Sequence, residues 1–279
     1  MVTRSFLTVA RKLQSPAAGT ELMAPLLYDF VRLTRARTLL EVGVGYTTLF
    51  LLQALADNVA AFFHNRAGLA RKTRGLLDRA EKTRSRVALS EEEFGRWMLD
   101  EPTYADPRYY VSDYRPRLFA FDDFSSKTSS AICVPAVAQQ LGLAHLLQFV
   151  PARPAPNAAR ILRRYLPIDI AFNDGSEYES FLLTYSGLVN PAGGLLVLHN
   201  TVTAFGDNPI LPFLRSWNRH NDDQFEVMSI VEPHKLFQGS CTVLRRICHA
   251  PANNRVASLK SKRWMTQMLA SLDKKRRRQ

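Results

Sequence analysis

The chain has little of what would cross-link it or anchor it in a membrane. Only three cysteines, Cys133, Cys241 and Cys248, occur in 279 residues, and none forms a CxxC pair. This excludes a disulfide framework or a zinc knuckle and fits a reducing compartment. No uninterrupted apolar run approaches the roughly 18–20 residues of a membrane helix. Even the stretch from Leu49 to Phe63 is broken by Gln53, Asp57 and Asn58, so no transmembrane segment is expected. Acidic residues are missing from the start, the first being Glu21. Arg4, Arg11 and Lys12 surround only the short apolar segment Phe6–Ala10, without the apolar core and small-residue cleavage site of a secretory signal. An amphipathic first helix and a cytoplasmic location are expected, with a transit peptide as the alternative.

Several catalytic signatures are also missing. There is no HExxH, no GxSxG elbow and no GxxxxGK[ST] loop, which argues against a zinc protease, a serine hydrolase and a phosphate-loop enzyme. His64, His145, His220, His234 and His249 show no metal-ligand spacing and read as surface or packing residues.

Net charge is +12, from 37 Lys and Arg against 25 Asp and Glu, and its placement is uneven. Residues 260–279 hold eight basic residues against Asp273, so +7 lies there and only +5 in everything before. Trp264, Met265, Met268, Leu269 and Leu272 recur there at helical spacing. The end reads as a helix packed on its own domain with a solvated basic tail, the alternative being a basic amphipathic helix for an acidic surface.

Elsewhere strand-like and helix-like stretches alternate. Thr38–Val42, Leu118–Phe121, Leu146–Val150, Ile168–Phe172 and Leu195–Leu198 are short, apolar and bounded by polar residues, Pro or Gly, as parallel strands buried on both faces should be. Helices are expected over Glu21–Leu33, from Tyr46 to near Asp57, and after Ser176-Glu177-Tyr178-Glu179, which has the form of a capping box. Phe225–Val231 and Cys241–Arg245 close the pattern as an antiparallel hairpin. The expected fold is a Rossmann-like three-layer α/β sandwich with a mostly parallel seven-stranded sheet, in which ligands meet the carboxyl ends of the strands.

About sixty residues separate the helix ending near Asp57 from the strand at Leu118, far more than a βαβ unit needs. Residues 1–250 are therefore expected to form one domain with an insertion at about 58–116, and 251–279 a C-terminal helix and tail. The insertion's first half, Ala60–Arg86, is basic and helical. Its second half follows a short helix capped by Ser90 and Glu93 and holds Tyr104, Tyr109, Tyr110 and Tyr114. A lid over the substrate, a surface excursion and a homodimer contact are the readings of this segment.

The strongest motif is Glu41-Val42-Gly43-Val44-Gly45-Tyr46-Thr47-Thr48, between a strand and a helix. Its glycines let the backbone turn sharply and a ligand approach the main chain. Thr48 stands where a dinucleotide fingerprint has its third glycine, which counts against NAD or FAD. This motif resembles motif I of class I S-adenosylmethionine-dependent methyltransferases, with a resemblance running over roughly residues 20–246. The stretches Asp169–Gly175 and Gly193–Thr201 are similar to small-molecule O-methyltransferases of the catechol O-methyltransferase type.

The resemblance implies S-adenosylmethionine as cofactor and a small-molecule acceptor. Glu41, Gly43, Gly45 and Tyr46 would line its methionine part, Asp122 or Asp123 would hold the ribose hydroxyls, and Ala152 and Arg153 would lie near the adenine. Asp174 and His199-Asn200 would sit beside the reactive methyl group. Relatives of this type bind magnesium there through oxygen ligands, but His199 stands where an Asp is expected. Magnesium thus stays an open question with no metal ligand assigned. His199 is instead the expected general base, with Asp174 orienting its imidazole. Two other functions fit the same pattern: an RNA methyltransferase anchored by the basic tail, and a cofactor-binding protein without turnover.

Overall fold

The computed structural model describes residues 2–82, 89–125, 129–153, 157–175, 177–203, 206–207, 210–236, 239–247 and 259–276. Its helices are α1 (Arg4–Ala10), α2 (Met23–Thr34), α3 (Tyr46–Lys82), α4 (Glu91–Leu99), α5 (Pro107–Val111), α6 (Val134–Gln140), α7 (Asn157–Leu162), α8 (Tyr178–Tyr185), α9 (Ile210–His220) and α10 (Lys262–Arg276). The strands are β1 (Thr38–Val42), β2 (Arg117–Phe121), β3 (Leu147–Val150), β4 (Ile170–Asn173), β5 (Leu195–His199), the short pair β6 (Val202–Thr203) and β7 (Gly206–Asp207), β8 (Phe225–Val231) and β9 (Ser240–Arg246). The chain divides into two compact units, Met1–Asn58 with Pro116–Ala250, and Val59–Arg115 with Pro251–Gln279.

The first unit carries a seven-stranded sheet in the order β3-β2-β1-β4-β5-β9-β8. The first five strands are parallel, and β9 runs antiparallel to both β5 and β8. Successive strand side chains point to opposite faces, which splits the core in two. Leu39, Leu118, Ala120, Phe172 and Val197 pack with α1, α2, α6 and the start of α3. Leu40, Phe119, Phe121, Leu196 and Leu198 pack with α8 and α9. Each fully buried Leu or Phe contributes about 1.5–3 kcal/mol of apolar burial.

Register then aligns the chemistry. Val42 pairs with Phe121 on one side and Asn173 on the other, Asn173 pairs with Leu198, and His199 pairs with Cys241. Gly43, Asp122, Asp174 and His199 consequently lie in one row at the carboxyl edge. Strand order reverses between β1 and β4, the place where an open α/β sheet leaves a crevice.

The second unit is helical. The expected break near Asp57 is not there, because α3 continues to Lys82. Residues 57–60 contain no Gly or Pro to stop it. One window of this helix is long and apolar enough to span a membrane, but 61% of it is buried within the protein. Ser90 and Glu93 form the expected capping box on α4. Tyr110 and Tyr114 stack on Phe62 at 5.4 and 5.2 Å and are buried, whereas Tyr104 is exposed. Most of the tyrosine cluster is thus the unit's own core, because ring burial against Phe62 satisfies it within the chain. Met265, Met268 and Leu272 of α10 join the same core as Trp97, Leu69 and Leu76, so the apolar face of α10 is already covered. Arg277, Arg278 and the capping residue Ser176 lie outside the described residues, and α8 begins after Glu177 without a side-chain cap.

Candidate functional site

The row begins at the turn after β1. Gly43 has φ +85°, and a Cβ there would lie 3.1 Å from the Asp174 Cβ. Only glycine accepts both conditions cheaply. The turn's amides are already committed. Gly43 N donates to Phe121 O at 3.0 Å, Val44 N to Asp122 Oδ2 at 3.0 Å, and Gly45 N to Thr48 Oγ1 at 2.9 Å. What remains for a ligand is close approach to the turn and the opening of α3 at Tyr46 and Thr47, where a helix's first N–H groups lack intrahelical partners. Thr48, replacing the third glycine, thus ties the turn to the helix.

Glu41 lies beneath this turn, fully buried, and borders neither of the two cavities at the edge. Its Oε1 accepts from Thr47 Oγ1 at 2.7 Å, while Oε2 has no partner among the described residues. Burial pushes its pKa from 4.5 to about 8, opposed by the Thr47 and Thr48 hydrogen bonds and reinforced by Asp174 and Asp122. A carboxyl protonated in the folded state and ionised in the unfolded one gives stability that is complete below pH 4.5 and lost as pH rises through 8. Unfolding free energy should therefore fall as pH rises across that window. Glu41→Gln should flatten this slope, which urea midpoints measured at several pH values will report.

The two acids after β2 differ in what they do. Asp122 accepts from Val44 N through one oxygen and from Phe124 N, at 2.7 Å, through the other. Each oxygen keeps a second lone pair for a ligand. Asp123 accepts from Ser125 N at 2.9 Å and from Arg153 Nε at 2.7 Å. The Ser125 hydrogen bonds and the Arg153 guanidinium hold its pKa down at about 2. Both acids therefore cap a turn, and Asp122 alone of the two borders both cavities.

Asp174 and His199 are in contact, with His199 Nδ1 2.6 Å from Asp174 Oδ1. Their order differs from the expected one. The imidazole is 2% exposed against 23% for the Asp174 side chain, and Asp174 borders both cavities while His199 borders neither. His199 Nε2 is buried without a partner among the described residues. The reason is its position as the last residue of a strand buried along its whole length. Tyr178 Oη donates to the His199 carbonyl at 2.7 Å and fixes the bend at Asn200, where φ is +55°.

The donor set suits magnesium poorly. One Asp174 oxygen is spent on the imidazole, His199 offers nitrogen to a cation that prefers oxygen, and Asn200 Oδ1 is buried. Among the described residues no group of three His, Cys, Asp or Glu could hold a metal ion.

The cavities meet at Gly43, Asp122 and Asp174. The smaller, of about 290 Å³, is bounded by the turn, by Ser129 and Ser130, and by Leu13, Ser15, Ala18 and Thr20 from the N-terminal segment. The larger, of about 500 Å³, runs past Asp123 and Arg153 to Phe181 and Tyr185. Asn173 and Tyr185 are among its lining residues, but Asn173 Nδ2 and Tyr185 Oη are themselves buried, without partners among the described residues. Sequence patterns did not flag Tyr185 or the N-terminal segment, since neither belongs to a local motif. Residues 204, 205, 208 and 209, between β5 and α9, lie outside the described residues.

No family model and no curated protein matches the sequence. Among solved structures, the O-methyltransferase TomG from Streptomyces achromogenes, involved in tomaymycin synthesis and solved with SAM, is similar at 17% identity. It covers 88% of this chain and 92% of its own, with a TM-score of 0.50. A candidate O-methyltransferase from Klebsiella pneumoniae is similar at 13% identity, covering 89% and 91%, with a TM-score of 0.52. A likeness of shape along nearly the whole chain, at identities this low, speaks to architecture: the chain has the Rossmann-like methyltransferase fold.

Proposed function

We propose that this protein is an S-adenosylmethionine-dependent methyltransferase acting on a small molecule, at oxygen. The observation that carries the proposal is the meeting of two cavities at Gly43, Asp122 and Asp174, where a Cβ-free turn faces an acid with free lone pairs. The opening of α3 at Tyr46 and Thr47 suits the cofactor's carboxylate, Asp122 suits its ribose hydroxyls, and the larger cavity suits its base. TomG, of the same fold, was solved with SAM.

The bound cofactor supplies an electrophilic methyl group on a sulfonium. The chain's own residues have two tasks. The first is to hold the acceptor oxygen in line with that carbon and away from water. The second is to take the acceptor's proton. A hydroxyl oxygen becomes strongly acidic as it forms its new bond to carbon, so a carboxylate is base enough for a late transfer. Asp174 faces the cavities and receives that proton, while His199, behind it, holds the carboxylate in position.

Calorimetry with S-adenosylmethionine and S-adenosylhomocysteine tests the reading directly. Both should bind, and Asp122→Asn should weaken them by roughly ten- to a hundredfold, the loss of a charge-assisted hydrogen bond worth about 1.5–3 kcal/mol. A wild-type chain that binds neither ligand would sink the proposal.

A further inference from the structure

We infer that Lys235 is a positioning residue, latching the N-terminal segment 15–22 into place as a wall of the smaller cavity. The inference rests on the reading of that cavity as part of a cofactor site, although the contact itself does not. Lys235 sits in the turn joining β8 to β9. Its Nζ lies 2.6 Å from Glu21 Oε1, 2.8 Å from Glu232 Oε2 and 3.3 Å from the Gly19 carbonyl. The ammonium donates a hydrogen bond to the Gly19 carbonyl and pairs as an ion with the Glu21 and Glu232 carboxylates. Lys235 and Glu232 are mostly buried, at 15% and 17% side-chain exposure, and Glu21 is more open at 38%, so solvent screens the Lys235–Glu21 contact more than the pair within the turn.

The segment needs such a tether. It contains one short turn of 3-10 helix, Pro16–Ala18, followed by Gly19 at φ +64°. Yet Ser15, Ala18 and Thr20 form part of the cavity wall. Among the described residues, the ion pairs and hydrogen bonds that tie residues 15–22 to distant parts of the chain all run through Lys235. Glycine at 239 makes room for it, because a Cβ there would lie 2.7 Å from the Lys235 Cβ. Glu232 holds the lysine within its own turn, and Glu21 is the partner that links that turn to the segment.

The test is amide hydrogen exchange of the ligand-free protein, combined with calorimetry against S-adenosylhomocysteine and steady-state kinetics. Variants are Glu21→Gln, which opens the latch while keeping the Lys235–Glu232 pair, Lys235→Met, and Lys235→Arg. Exchange at residues 14–22 should rise about tenfold in Lys235→Met, equivalent to about 1.4 kcal/mol, and by less in Glu21→Gln. Exchange in β1 and β5 should not change. Affinity for S-adenosylhomocysteine should drop about tenfold, KM should rise with kcat held within about twofold, and Lys235→Arg should recover part of the loss. Unchanged exchange at 14–22, or faster exchange throughout the sheet, would overturn the latch. So would an unaltered affinity in a variant whose segment has loosened. If the wild type binds no S-adenosyl ligand, the cofactor reading fails while the exchange result still decides whether Lys235 holds the segment.

Discussion

Asp174→Asn should lower kcat for methyl transfer by about 10²–10⁴, the range for loss of a positioned proton acceptor, with a much smaller change in affinity for S-adenosylhomocysteine. The substitution keeps the side chain's volume beside Gly43, where the backbones pack closely, and removes the charge that His199 Nδ1 contacts at 2.6 Å. Its partner supplies the control. Because the imidazole is buried behind the carboxylate, His199→Ala should cost less than Asp174→Asn at every pH. If His199→Ala proves the more damaging, the imidazole is the base and the carboxylate only its support. If His199→Ala keeps full activity, the imidazole contributes nothing to holding the carboxylate and Asp174 acts alone. Added magnesium or chelator should leave the wild-type rate unchanged, since the donors at this point are a spent carboxylate oxygen, a nitrogen and a buried amide. Loss of activity with chelator, restored by magnesium, would refute that assignment.

Gly43→Ala should be the most damaging single methyl group that can be added to the site. At φ +85° a non-glycine residue is strained by about 1–3 kcal/mol, and the new Cβ would meet Asp174 at 3.1 Å. Backbone on both sides of the crevice must move to relieve it. Affinity for S-adenosylhomocysteine should fall by more than about tenfold, and Tm should drop by several degrees, since about 1 kcal/mol shifts a unit of this size by roughly 2–4 °C. Gly95→Ala provides the contrast. It lies in α4 with nothing within 4 Å of an added Cβ, so it should leave binding intact and hold or raise Tm. Equal effects from the two substitutions would show that the turn after β1 needs no glycine.

Much of the architecture was legible because buried parallel strands announce themselves as short apolar runs. Thr38–Val42 and Phe225–Val231 were expected with the bounds the structure shows, and the other sheet strands within about two residues. The Glu41–Thr48 turn was legible for the same local reason, since its glycines are required by its own backbone. The length of α3 was misread because an interrupted apolar pattern looks like a helix end, although no residue there breaks a helix. The tyrosines of the insertion were read as surface contacts because composition cannot tell an exposed ring from one stacked on Phe62.

Which residues could do chemistry was thus written along the chain: a glycine turn, acids after β2 and β4, and a histidine closing β5. Which of them face a ligand was decided only by packing. Whether Asp174 or His199 stands in front depends on the burial of β5 between its neighbours. Whether Glu41 touches a cavity depends on the helix above it. The wall built from residues 13–20 and its lysine more than two hundred positions away have no signature at any fixed spacing. Local propensity and periodicity act over a few residues, whereas burial, desolvation and ion pairing are set by whichever distant segments the fold brings into contact.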